Sequence, residues 1–154
     1  MQIQCFFDIN VKIVNDIHVY SFISNGNELT ELRMLLFLDK KRKILNRFCE
    51  KKIKKVVLLY DIDKLPVSGN FSLFTRYFTQ DYVQIFKDNR ELLSEKLFFT
   101  VIKSENTIFH TFFKIFKKFY IPIKPLYLCE SIEEAFECID NEEKRKQLLI
   151  FDVK

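Results

Sequence analysis

Two aspartates one residue apart close an apolar run in "KKVVLLYDIDKLPVSG", Lys54 to Gly69. Asp61 and Asp63 are the right side chains for phosphoryl chemistry. One carboxylate can attack as a nucleophile while its neighbour serves as general acid, or both can help hold a divalent cation. The position also fits, because ligand crevices in open α/β sheets lie outside the carboxyl ends of the strands. Ser104, after "FFTVIK", could add a hydroxyl, and Asp152 a later acidic group.

The residues that follow argue the other way. Haloacid-dehalogenase-like phosphatases carry a small residue and a threonine after the second aspartate; here Lys64 and Leu65 stand there. Val153 and Lys154 follow Asp152, and the closing strand and helix of that superfamily are not expected behind it. The expectation is that Asp61 and Asp63 end a strand and accept hydrogen bonds from turn amides, and that no reaction is catalysed. Ser68, Gly69 and Asn70 continue the same loop. A serine before a helix caps it, and a phosphate at that place would meet the amides and dipole of a helix amino terminus.

A second candidate surface is basic. In "DKKRKILNRFCEKKIKK", Asp39 to Lys55, helical spacing sets Lys40, Lys43, Arg47 and Lys51 in a stripe. A solvated face is the first expectation, and an acidic protein, nucleic acid or anionic membrane would also fit it. No nucleic-acid-binding motif accompanies it, so no specific nucleic-acid partner is expected. The aromatics of "HTFFKIFKKFY", His110 to Tyr120, repeat at helical spacing, which favours core packing over base stacking. Cys5, Cys49, Cys129 and Cys138 show no Cys-x-x-Cys spacing, and His18 and His110 do not cluster with them. Neither a zinc site nor any other metal or cofactor is expected, and the thiols read as small, buried and reduced.

The elements that must position these residues follow from periodicity. Ile3, Cys5, Phe7, Ile9, Val11 and Ile13 alternate with mostly polar neighbours, a half-buried strand. Asn15-Asp16 makes a turn into a second strand, "IHVYSFIS". Thr30 caps a helix reaching to about Lys52, with Leu32, Leu35, Leu36, Ile44, Leu45 and Phe48 inward; the apolar run Met34 to Leu38 also admits a short strand. Val56 to Tyr60 reads as a strand buried on both faces. A long helix begins at Phe71 and carries Phe74, Phe78, Tyr82, Ile85 and Phe86. "LFFTVI" is the next strand, and Asn106 caps a helix to about Tyr120, stopped by Pro122 and Pro125. "LYLC" is a short strand, Ser131 to Glu134 form a capping box, "NEEKRK" is a charged extension, and "QLLIFDV" supplies a terminal strand. The order is β-β-α-β-α-β-α-β-α plus a last β, a single α/β domain over 1–154 with a mixed sheet of about four to six strands and about four helices.

This succession resembles the STAS domains and related small α/β modules. The residues that carry the likeness are the strand ending in aspartate, "VVLLYDI"; the turn with Ser68 before a helix; the strand "LFFTVI"; and "PLYLC" followed by "ESIEEAFECI". The resemblance covers about residues 11–139. It implies a protein-interaction module that docks a partner protein through loop 61–70 and the helix after it. In the anti-sigma-factor antagonists of that family a serine at this turn is phosphorylated to switch binding, and Ser68 stands in the matching place. Its flanks depart from the Asp-Ser-Ser/Thr-Gly-like run of that family. Relatives that carry lipids or nucleotides imply a small-ligand carrier as the alternative.

Composition adds breadth. There are 18 Phe against 2 Gly and 3 Pro, a bias of AT-rich codons that points to a protist, a low-GC bacterium or a large DNA virus. The last admits a structural component of a virion or other assembly. The net charge of +4 is mild. No run of about 20 apolar residues spans a bilayer, and no signal peptide is read at the amino terminus, so a cytoplasmic or other intracellular protein is expected. Phe6, Phe99 and Phe109 fall out of phase with the inward sets. Some of them are expected at the surface, as part of an apolar patch for a partner or a homodimer.

Overall fold

The computed structural model describes residues 4–65, 76–105 and 122–152. β1 (Phe7–Val14) and β2 (Ile17–Ser24) form an antiparallel hairpin. Its two-residue turn places Asn15 at φ 48° and Asp16 at φ 67°. Both angles lie in the left-handed region that Asn and Asp tolerate, and such turns match the twist of the strands. α1 (Glu31–Arg47) crosses to β3 (Lys55–Asp61). A π-helical turn (Phe78–Tyr82), α2 (Val83–Asp88) and α3 (Arg90–Lys96) lead to β4 (Leu97–Lys103). β5 (Leu126–Cys129), α4 (Ile132–Asp140), α5 (Glu142–Leu148) and β6 (Leu149–Phe151) complete the described chain.

The protein is thus an α/β domain with a six-stranded mixed sheet in the order β1-β2-β3-β4-β5-β6. β2 to β5 run parallel, and the two edge strands are antiparallel to their neighbours. Crossovers that step in one direction along a sheet, all of the same hand, lie on one face. Accordingly one apolar cluster joins α1, α2 and α3 to Phe7, Tyr20, Phe22, Val56 and Leu58. On the other face Ala135, Cys138 and Ile139 of α4 cover Val19, Val57, Leu59, Phe99 and Val101. Val56 to Leu59 are completely buried, as a strand covered on both faces requires. No described helix is long and apolar enough to cross a membrane.

Several expectations change. α1 stops at Arg47, so Lys51 lies beyond the helix, and Met34 to Leu38 are helical throughout. Its inward face is Met34, Phe37, Leu38, Lys41, Ile44 and Leu45, while Leu32 and Leu35 are exposed. Phe6 and Phe99 are buried, not at the surface. Phe6 packs beside Phe7 and Phe37, and Phe99 beside Tyr127. Neither therefore contributes to an exposed apolar patch. Val11 and Ile13, expected to be half-buried, are exposed, because β1 extends along an open edge. Cys49 is exposed, against the expectation of four buried thiols. Ser68, Gly69, Asn70, Phe71, Phe74, Phe109, His110 and the helix expected from Asn106 lie outside the described residues.

Candidate functional site

Parallel pairing of β3 with β4 sets Asp61 opposite Lys103 at the carboxyl ends of the two strands. The chain turns at once: Asp61 Oδ1 accepts from the Asp63 amide at 3.1 Å, and the Leu65 amide donates to the Ile62 carbonyl at 3.2 Å. This is the short-range Asx turn that aspartate forms where a strand stops. It brings the second carboxylate back over β4. There Asp63 Oδ1 accepts from the Glu105 amide at 2.8 Å, and Asp63 Oδ2 receives the Lys103 ammonium. Lys103 also lies 3.8 Å from Asp61 and 3.6 Å from Glu105.

The Lys103, Asp61 and Asp63 side chains are 12%, 14% and 16% exposed, so this ion cluster is largely removed from water, while Glu105 is open to it. Burial pulls the Lys103 pKa down. Asp63, Asp61 and Glu105 together outweigh it and hold the ammonium above its ordinary value. The strand therefore ends in an ion-paired, hydrogen-bonded clasp in which a single ammonium serves more than one carboxylate. One ammonium lies between the two carboxylates, where a cation shared by them would need to sit.

The described residues on either side of positions 66–75 are tied to other elements. The Lys64 amide donates to Ser24 Oγ at 2.9 Å, tying the outgoing stem to the end of β2. On the returning stem the Tyr77 hydroxyl donates to Glu31 in the first turn of α1. Ser104, next after Lys103, is buried and ties its amide to the Cys129 carbonyl at 3.0 Å. Asp61, Asp63 and Ser104 are thus gathered at one edge. Asp152 is not with them: it follows Phe151, which pairs with Leu126 at the start of β5, the opposite edge of the sheet.

The basic stripe is real but shorter than expected. Lys40, Lys43 and Arg47 are exposed on α1, and Lys43 pairs with Asp39 at 3.0 Å in solvent. Among the described residues no group of three metal-ligating side chains converges. A cleft of about 480 Å³ opens between Cys49 and residues 87–92, lined by Lys87, Asp88, Arg90 and Glu91 among others.

Two residues escaped the sequence reading. Lys103 was signalled only by its place: β3 and β4 each have seven residues and close on opposite charges. Lys41 carried a periodic signal, seven residues from Met34 and three from Leu38 and Ile44, all inward. It is fully buried. Its ammonium nitrogen lies 4.2 Å from the Phe22 ring centre, 4.9 Å from Tyr60, 5.3 Å from Phe86 and 5.6 Å from Tyr82. It donates to the Tyr60 hydroxyl, which in turn lies 2.5 Å from that of Tyr82. Burial drives the Lys41 pKa well below its usual value and raises those of Tyr60 and Tyr82.

No family model matches this chain, and no curated protein or solved structure is significantly similar to it.

Proposed function

We propose that this chain is a STAS-like protein-interaction module that binds a partner protein through loop 61–70 and the helix that follows, without catalysing a reaction. The observation that carries this reading is the clasp. Asp61 and Asp63 are already engaged by Lys103 and by the amides of Asp63 and Glu105. A carboxylate so occupied is a poor nucleophile and a poor metal ligand, but a good rigid base for a recognition loop at the carboxyl edge of a parallel sheet. The element order adds support, since a strand ending in Asp61, the strand Leu97–Lys103 and a Ser131-capped helix after the short strand Leu126–Cys129 follow one another as the STAS likeness implies.

The test begins with capture of the tagged protein from its native host under mild conditions and quantification of what co-purifies. A stoichiometric protein is expected, and its titration against Ser68→Asp is expected to show weakened binding. Equal affinity of variant and wild type would remove Ser68 from the interface. Co-purification of a lipid or nucleotide in place of a protein would replace this reading with the carrier.

A second reading keeps one specific observation in its favour: Ser104 lies at the same edge as Asp61 and Asp63. A phosphatase built on them requires magnesium-dependent hydrolysis of a phosphomonoester that Asp61→Asn abolishes.

A further inference from the structure

We propose that β1 pairs antiparallel with β1 of a second copy of this chain, about a twofold axis passing beside Asn10, to make a homodimer with one continuous sheet. The inference is independent of the loop at residues 61–70. It starts from an edge that is long and open: β1 has eight residues and, among the described residues, β2 as its only sheet neighbour. The opposite edge, β6, has three.

Backbone parity comes first. In a hairpin with a two-residue turn, the residues flanking the turn exchange hydrogen bonds, and exchange then alternates along the ladder. Val14 pairs with Ile17 across the Asn15-Asp16 turn, and the Asn25 amide donates to the Phe6 carbonyl at 3.1 Å in the same register. The even-numbered residues of β1 are therefore bonded to β2. Phe7, Ile9, Val11 and Ile13 direct their amides and carbonyls outward. A second strand must meet these four.

Sequence symmetry comes second. From Phe7 to Ile13 the strand reads apolar-Asp-apolar-Asn-apolar-Lys-apolar. Laid antiparallel on itself about Asn10, Phe7 faces Ile13 and Ile9 faces Val11, every one of them an outward-bonding residue. On the other face Asp8 of each copy lies opposite Lys12 of the other. Moving the axis to Ile9 or Val11 keeps the backbone parity but parts Asp8 from Lys12. Moving it by half a residue pairs outward groups with inward ones. One register satisfies both conditions.

Exposure comes third. Val11 and Ile13 are 49% and 60% exposed, although Phe7 and Ile9 on the same face join the core. The second copy would lay its Ile9 and Phe7 beside them. The ionic heads are exposed as well: Asp8 accepts from Asn25 at 3.0 Å, and Lys12 lies 5.0 Å from the Phe136 ring centre. Opposite charges directly across a strand pair stabilise it and like charges oppose it.

Sedimentation equilibrium of the full chain, from low micromolar to submillimolar concentration at low salt, tests the proposal. A reversible dimer is expected. Asp8→Lys sets like charges opposite each other twice, and dimerisation should weaken by about tenfold or more. Asp8→Lys combined with Lys12→Asp restores the pairing with its signs exchanged, and affinity should return to within about threefold of wild type. Val11→Pro removes one outward amide without touching the bonds to β2. Prolines are tolerated on edge strands in that orientation, so the dimer should be lost while the circular dichroism spectrum is kept. A monomer at every concentration would overturn the proposal. So would a dimer in which the single and double charge variants are equally weak or equally strong; those two surface changes keep the test decisive even if Val11→Pro perturbs folding.

Discussion

Replacing Lys41 with methionine removes the buried amine and keeps an unbranched stem among the same rings. The expected result is a more stable protein, by an amount that depends on pH. Lys41 is wholly buried and donates to the Tyr60 hydroxyl, with no carboxylate beside it among the described residues. Losing that hydrogen bond costs about 1 kcal/mol, and Tyr60 keeps its bond to Tyr82. Against this stands the proton. The unfolded lysine titrates near pH 10.4, and burial sets the folded value well below it. Between the two values the unfolded chain binds one proton more than the folded chain. Wild-type stability therefore falls as the pH falls through that interval, by about 1.4 kcal/mol per pH unit, and levels off below the folded value. Methionine has no such slope.

The variant should accordingly gain on the wild type as the pH falls until the folded value is passed, and be the more stable by about 1–3 kcal/mol near neutrality. Urea unfolding of both proteins between about pH 7 and about pH 9 reads this directly. That range stays below the titration of Tyr60 and Tyr82, whose raised values keep both hydroxyls protonated. A methionine variant less stable than wild type by the same amount at every pH would refute the reasoning. It would mean that the amine stays charged in the fold, held by the faces of Phe22, Tyr60, Tyr82 and Phe86.

Two other predictions concern the clasp and the thiols. Lys103→Met leaves Asp61 and Asp63 without their counter-ion in a site that is mostly out of water, and should destabilise the fold by about 2 kcal/mol. A second substitution, Asp63→Asn, should recover part of that loss in a double-mutant cycle read by thermal unfolding, and strictly additive effects would deny the coupling. Among the cysteines, Cys49 is exposed and should alkylate rapidly in the native protein. Cys5, Cys129 and Cys138 are buried, and burial pushes the Cys129 thiol up to about 12 and that of Cys138 to about 11. They should react with iodoacetamide only on unfolding, as read by peptide mass spectrometry; labelling of Cys129 at the rate of Cys49 would contradict its burial.

The order of elements was legible because each is set by local pattern. A strand covered on both faces reads as a continuous apolar run, as Val56 to Leu59 do. Ser131 is in the capping position and accepts from the Glu134 amide at 3.1 Å, although Glu134 reaches one residue further back than a capping box requires, to the Glu130 amide. Asn15-Asp16 has the turn chemistry its φ angles demand. What failed was phase. Counting leucines put Leu32 and Leu35 inside α1, and counting alternation put Val11 and Ile13 inside β1, whereas burial depends on which neighbour lies across the element. That neighbour is set by the sheet order and is not written in the segment itself.

The two residues that pattern reading missed are both lysines, for a common physical reason. A lysine is scored by its ammonium, yet most of its length is hydrocarbon that packs like a core side chain. Lys41 sits at an inward helical position because its stem fills the space between α1 and β3, and the aromatic faces together with Tyr60 receive the nitrogen. Lys103 closes β4 at the point where β3 closes with Asp61, and the pairing appears only once the strands are set side by side. In each case the nitrogen is met by groups distant in sequence: Tyr60 and Tyr82 for Lys41, Asp61 and Asp63 for Lys103. A lysine that interrupts an apolar periodicity in phase, or ends a buried strand, therefore marks where a distant strand must bring an acceptor, and so carries long-range information that the apolar residues around it do not.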